Sequence, residues 1–312
     1  MTTHHWQHDF ERWIEDGTAL STRRAYQRDV TYYWRWVNKH FDEAEHYPTT
    51  VENVLQFCLY HIDNDSPYPL KLSTLRRYLA SLSIKHKEHG VENPTTDGKV
   101  RLLLRRAKAA KQEQANKKAA ITLNILNALL TTCENDLTGV RDKAILLLGF
   151  AAGGRRRTEI ANIRIEDLEK TKDGYLLTIK RSKTDQTGKG FIVPVFGQAA
   201  CALKGWLIKS GLRAGPLFRG IKSNDTFYDA ISPRTINLIV KRRIKIIGLN
   251  PENFGAHSLR AGFITESSNQ GINLTEAMML SGHKSIKVAQ GYCRETNLQT
   301  NKASRLIKSH FN

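Results

Sequence analysis

Cysteine is scarce in this chain. Cys58, Cys133, Cys201 and Cys293 are the four among 312 residues, and no two stand as a CxxC pair. A disulfide scaffold and a thiolate zinc site are therefore not expected, and the thiols are read as reduced. Long apolar runs are missing too: the longest stretch free of charged and polar residues, 144–154, has eleven, against the ~18 to 20 that span a bilayer. The amino terminus places His4, His5 and His8 among charged neighbours where a secretory segment would carry an apolar run. It reads as a solvated tail in a cytoplasmic protein rather than as a leader or a metal site. No HExxH, EF-hand loop or GxxxxGK[ST] occurs, so neither a metal nor a nucleotide cofactor is expected.

Acidic residues are few relative to basic ones. Lys and Arg number 48 against 30 Asp and Glu, a net charge of +18, and 40% hydrophobic residues supply apolar matter for more than one core. Disorder over the full length is excluded. The imbalance is uneven: residues 1–66 carry 6 basic and 11 acidic side chains, and residues 67–312 carry 42 and 19. A basic surface that begins near Leu70, without a membrane segment, points to a nucleic acid.

The first third reads as helices. Ser21 or Thr22 is expected to cap one in which Tyr26, Val30, Tyr33 and Val37 share a face, with Trp34 and Trp36 as core rather than base-stacking residues. Val51–Ile62 forms a second amphipathic helix after Pro48. Ser73 or Thr74 is expected to cap a third, with Leu75, Leu79 and Leu82 inward and Arg76 and Arg77 outward. Residues 99–118 hold eight basic side chains and one acid, with Arg101, Arg105 and Lys108 opposite Val100, Leu103, Leu104 and Ala107. Such a face suits an arm over phosphates, with a solvated linker helix as the plainer alternative. Beyond it, a helix near 122–133 and an apolar segment at 141–150 precede two strands, 175–179 and 191–195. Ser232 and Pro233 then start a helix over 235–247, and helices continue to the end.

Breaking a phosphodiester requires a nucleophile, a proton donor for the leaving oxygen and positive charge around phosphorus. The second part of the chain holds candidates for each: Gly154-Arg155-Arg156-Arg157-Thr158-Glu159, Arg181-Ser182-Lys183-Thr184, His257-Ser258-Leu259-Arg260, Ser281-Gly282-His283 and Tyr292.

That order, Gly-x-Arg-x-x-Glu, a hairpin lysine, His-x-x-Arg, then Gly-His with a tyrosine nine residues on, resembles the tyrosine recombinases, or phage integrase family. Glu159, three residues on, selects Arg156 from the arginine triple. The resemblance implies that Arg156 and Arg260 clamp the phosphate and that Lys183 protonates the leaving 5′ oxygen. Tyr292 attacks phosphorus, His257 accepts its proton, and His283 donates a hydrogen bond to phosphate. Glu159 supports the arginine box. Ser281 is a departure, since leucine commonly precedes Gly-His.

The implied fold is mainly α with a small antiparallel β-sheet: a two-domain, C-shaped DNA clamp. A helical core-binding domain (1–112) and a basic linker (113–121) would precede an integrase-type catalytic domain (122–312). DNA contacts are expected from Arg76, Arg77, Arg101, Arg105, Arg106, Arg234, Lys241, Arg242 and Arg243. Ala303, Leu306, Ile307 and Phe311 form an apolar stripe in the tail. In Cre-like members such a helix docks on the neighbouring protomer, and packing on its own domain is the alternative. The expected partners are double-stranded DNA with inverted-repeat sites and three further copies of the chain, a homotetramer on two sites working through a Holliday junction. Two rival readings stay open: a type IB topoisomerase, and an architectural DNA-binding protein with silent chemistry.

Overall fold

A computed structural model describes residues 5–111, 118–180, 190–283 and 285–293; for residues 5–8, 11, 15, 287, 292 and 293 the backbone alone is described. The chain divides into two units, Met1–Ala115 and Asn116–Asn312.

The first unit is helical: α1 (His5–Gly17), α2 (Leu20–Phe41), α3 (Val51–Ile62), α4 (Leu72–Glu88) and α5 (Gly98–Lys111). Its core is built at the positions that helical periodicity selects. Val30, Tyr33 and Val37 of α2 meet Val54, Phe57 and Cys58 of α3, Leu75, Leu79 and Leu82 of α4, and Val100 and Ala107 of α5. Trp34 and Trp36 are buried there, as core residues, and each large side chain removed from water stabilises the unit by about 1.5 to 3 kcal/mol. Arg101, Arg105 and Arg106 lie exposed along α5.

Three local expectations are corrected. Residues 5–17 form α1 rather than a tail, because Phe10, Trp13 and Ile14 recur at helical spacing. α2 starts at Leu20 with Ala19 at its N-cap, ahead of Ser21 and Thr22, because the joint with α1 spans only Thr18 and Ala19. α4 starts at Leu72, whose side chain is buried, with Lys71 at the N-cap; its carbonyl accepts from the Thr74 and Leu75 amides. Thr50, by contrast, caps α3 through its side chain, accepting from the Asn53 amide at 3.0 Å.

The second unit begins with α6 (Leu123–Thr131), α7 (Leu137–Ala151) and α8 (Arg157–Asn162). A three-stranded antiparallel sheet follows in the order β1 (Leu168–Lys170), β2 (Gly174–Ile179), β3 (Phe191–Phe196). Along β3, Val193 and Val195 are buried while Ile192, Pro194 and Phe196 are exposed, the two-residue alternation of a half-covered edge strand. Pro194, lacking an N–H, is tolerated at such an edge. After α9 (Gly197–Ser210) comes a second hairpin, β4 (Arg219–Ile221) with β5 (Phe227–Ala230). The remaining helices are α10 (Pro233–Ile246), α11 (Ala256–Asn269), α12 (Leu274–Ser281) and α13 (Ile286–Cys293). Strand β1, helix α9 and the second hairpin go beyond the sequence reading. Ser232 caps α10 as expected, accepting from the Thr235 amide at 3.0 Å.

α11 is the spine of this unit. Leu259 and Ile264 are fully buried, and Gly262 lets the helix touch the chain at Ile121, where a Cβ would stand 1.8 Å from the Ile121 carbonyl oxygen. The Ile121 amide, in turn, donates to the Ser258 carbonyl at 2.9 Å. No described helix is long and apolar enough to cross a membrane.

A cationic cluster at the candidate active site

Three separated segments meet around the side chain of Arg260. The first is the turn between α7 and α8. Gly153 and Gly154 both take left-handed φ, +85° and +68°, and a Cβ on Gly154 would lie 2.3 Å from the Arg260 Cα. Glycine is therefore required for the turn to lie against α11. The second segment is α11 itself, whose start is held by α10: the Asn237 Oδ1 accepts from the Ala256 amide at 3.0 Å, supplying a cap that Gly255 cannot. The third is the end of α12, where Gly282 is left-handed (φ +68°) and turns the chain so that His283 faces back toward α11.

The arginine triple is resolved by burial. Arg155 is 3% exposed, and its Nε donates to the Ala152 carbonyl at 2.5 Å, its Nη2 to the Leu280 carbonyl. Its guanidinium also lies 5.2 Å from the Phe191 ring of β3. It fastens the turn to α12 and to the hairpin strand. Arg157 points to solvent. Arg156 lies between these extremes, with 30% of its side chain exposed, and donates to Glu159 Oε1 at 2.7 Å. Glu159 Oε2 accepts from the Arg156 backbone amide at 3.2 Å, so this buried carboxylate holds the arginine from two sides and caps α8.

Arg260 is 2% exposed. Its Nη1 donates to the carbonyls of Gly154 (3.1 Å) and Ser281 (2.6 Å), and its Nε donates to His283 Nε2 at 3.0 Å. The resemblance makes His283 a donor to phosphate. The geometry differs, because Nε2 accepts from an arginine, which has no lone pair to offer in return. Burial first, then the charges of Arg260, Arg156, His257 and Arg155, push the His283 pKa down to about 4. The ring is uncharged at neutral pH and acts as an acceptor that aims Arg260. His257 opens α11 with its side chain reaching solvent. Its pKa is lowered, first by lost hydration on its inner side and then by Arg260 and Arg156. A neutral imidazole is the form that takes up a proton.

Lys183 lies outside the described residues. Tyr292 belongs to the last turn of α13, which packs against α11 and α12.

Among the expected DNA-contacting residues, Arg76, Arg101, Arg105, Arg106 and Arg234 are exposed. Others are corrected. Arg243 is buried, and its Nη2 and Nε donate to Asp142 Oδ2 at 2.8 and 3.2 Å. Arg242 donates to the same oxygen at 2.5 Å while half exposed. Asp142 is fully buried, and its charge is stable there only with cations around it, which draws both arginines inward. Lys241 pairs with Glu252 at 2.7 Å. Arg77 is exposed, yet its Nη1 is committed to the buried Asp29 between α2 and α4. Arg155, Asn237 and Ser281 are contributors that sequence reasoning passed over as site residues. For Arg155 and Ser281 the only signal was adjacency to the boxes, and Asn237, on α10, had none.

Arginines and histidines brought to one place from separate segments, ahead of a helix that carries a tyrosine, are the parts of a tyrosine recombinase, an enzyme that breaks and rejoins DNA strands. A profile described as the phage integrase family matches residues 120–298, and the chain belongs to that family. It is 31% identical over 299 residues to the integrase/recombinase xerD homolog of Selenomonas ruminantium, covering 92% of this chain and 85% of that one. It is 23% identical over 281 residues to the recombinase cre of Escherichia phage P1, covering 84% and 81%. The fold is similar to that of the Tn1549 transposon integrase in complex with transposon right end DNA, with a TM-score of 0.66 at 13% identity over 95% of this chain and 96% of that one.

Proposed function

We propose that the chain recombines DNA at inverted-repeat sites as a tetramer on two such sites, exchanging strands through a 3′-phosphotyrosyl intermediate and a Holliday junction. Arg156 and Arg260 hold the non-bridging oxygens of the scissile phosphate, for which a guanidinium fork is the matching shape. The Tyr292 oxygen bonds to phosphorus and its proton passes to His257. The bond to the 5′ oxygen breaks, and Lys183 supplies the proton that this oxygen takes up. Religation reverses each transfer with a 5′ hydroxyl from the partner duplex. One phosphoester replaces another, so the exchange requires no external energy source. Arg76, Arg101, Arg105, Arg106 and Arg234 contact the duplex, and the apolar stripe of Ala303, Leu306, Ile307 and Phe311 docks on a neighbouring protomer.

The observation that carries the reading is the buried Arg260 gathered with Arg156, His257 and His283 into one cationic cluster. Such a cluster serves a phosphorane-like transition state. The test is covalent capture. Wild type and Tyr292→Phe are incubated with sheared source DNA, denatured in detergent, and the attached DNA is sequenced. Recovery of a discrete inverted-repeat site by wild type alone is expected. Adducts scattered over degenerate sequence would favour a type IB topoisomerase. Tight binding without adducts would leave an architectural protein.

A further inference from the structure

We propose that Ser281 is a positioning residue, whose side-chain oxygen sets the His283 tautomer that in turn aims the Arg260 guanidinium. The proposal rests on the reading of Arg260 as a phosphate-binding residue and adds to it a residue that neither the family match nor the sequence boxes assign.

The argument is one of proton counting. Arg260 Nε is 3.0 Å from His283 Nε2, and an arginine N–H can only donate. Nε2 must then be the unprotonated nitrogen, and the proton of the neutral ring sits on Nδ1. Ser281 Oγ lies 2.7 Å from Nδ1 and accepts that proton's hydrogen bond, while its own hydroxyl points back toward the Met278 carbonyl at 3.4 Å. Every proton in the chain runs one way: Arg260 to His283, His283 to Ser281, Ser281 to Met278. The opposite tautomer would set an Nε2–H against the Nε–H of an arginine that is 2% exposed, two donors head to head.

Ser281 also holds Arg260 directly, since its backbone carbonyl accepts from Nη1 at 2.6 Å. One residue, itself 1% exposed, thus grips the guanidinium along two edges, once through its carbonyl and once through the imidazole. Among the described residues, the charged or titratable groups around His283 are Arg155, Arg156, Arg260 and His257. The contact that the described residues give to Nδ1 is Ser281 Oγ at 2.7 Å. A leucine here would have no oxygen to offer.

The test uses the full chain labelled with 15N-histidine, as wild type, Ser281→Ala and Ser281→Thr, with His283→Gln to assign the resonance. Long-range 1H–15N spectra at neutral pH read the tautomer. Wild type and Ser281→Thr are expected in the Nδ1–H form, and Ser281→Ala in a mixture with Nε2–H. Single-turnover attachment to the duplex recovered by covalent capture should slow about tenfold in Ser281→Ala, the order expected from losing the acceptor of a buried N–H. DNA half-saturation should stay unchanged, and Ser281→Thr should recover the rate. An Nε2–H ring in wild type, or an Nδ1–H ring that persists in Ser281→Ala, would overturn the proposal. Tyr292→Phe is expected to abolish attachment. Wild type that forms no adduct would overturn the recombinase reading while the spectra still decide the role of Ser281.

Discussion

Replacing Gly154 by alanine should damage the candidate active site and the stability of the catalytic unit together, and the cost separates into two parts. The first is backbone strain: at φ +68° an L-residue occupies the left-handed region, at about 1 to 2 kcal/mol. The second is steric, because the new Cβ would fall 2.3 Å from the Arg260 Cα and 2.9 Å from its Cβ. Neither atom can swing aside, and forced repacking of this kind costs about 1 to 3 kcal/mol more. Gly197→Ala is the control. Gly197 is also left-handed, at φ +58°, with nothing within 4 Å of the added Cβ, so only the strain remains. For a unit of this size each kcal/mol lowers Tm by about 2 to 4 °C. By calorimetry, Gly154→Ala should melt about 2 to 12 °C below Gly197→Ala. Covalent attachment to DNA should fall in Gly154→Ala alone, because α11 carries Arg260 away from the turn. Equal melting of the two variants would refute the claim that this contact sets the spacing of the arginine box from α11.

Asp142→Ala should destabilise the catalytic unit by about 3 to 5 kcal/mol in urea titration, because Arg141 and Arg243 are left buried without their carboxylate. In the helical unit, burial lowers the pKa of His61 and of His86. The unfolded chain therefore takes up more protons on acidification. Stability is fully present above the unfolded histidine value of about 6.5 and declines as pH falls below it. Thermal melts from about pH 8 down to about pH 5 should register this, and His61→Gln with His86→Gln should flatten the slope. DNA affinity should drop about 1000-fold or more between ~50 and ~200 mM salt if roughly 6 to 10 phosphates are contacted. A flat response in a binding titration would remove the electrostatic basis of the reading.

Much of the fold was legible locally. Helices α3 and α5, the Ser232 cap of α10 and the inward faces of α2 and α4 follow from spacings of three and four residues and from single capping side chains, which act within a turn of where they stand. The boxes around Arg156, Glu159, His257, Arg260 and His283 were legible for a similar reason. Each is short, and their order along the chain is itself a pattern. The helix starts at Leu20 and Leu72 were not, because a tight joint and tertiary packing put Ala19 and Lys71 at the caps in place of better capping residues.

What the sequence by itself determined is therefore the class of the protein: a basic, mainly helical chain with ordered arginine, histidine and tyrosine boxes, for which DNA strand exchange is the chemistry. The tertiary structure alone decided which of the basic residues are free to meet DNA. Arg155 and Arg156 are neighbours in sequence, yet one is sealed against Leu280 and the other is open beside Glu159. Arg242 and Arg243 are drawn inward by Asp142, a residue about one hundred positions away. A charge on a side chain is a local property. Its partner, its hydration and so its availability depend on what folding brings beside it, and at Ser281 and His283 that same dependence reaches down to the position of a single proton.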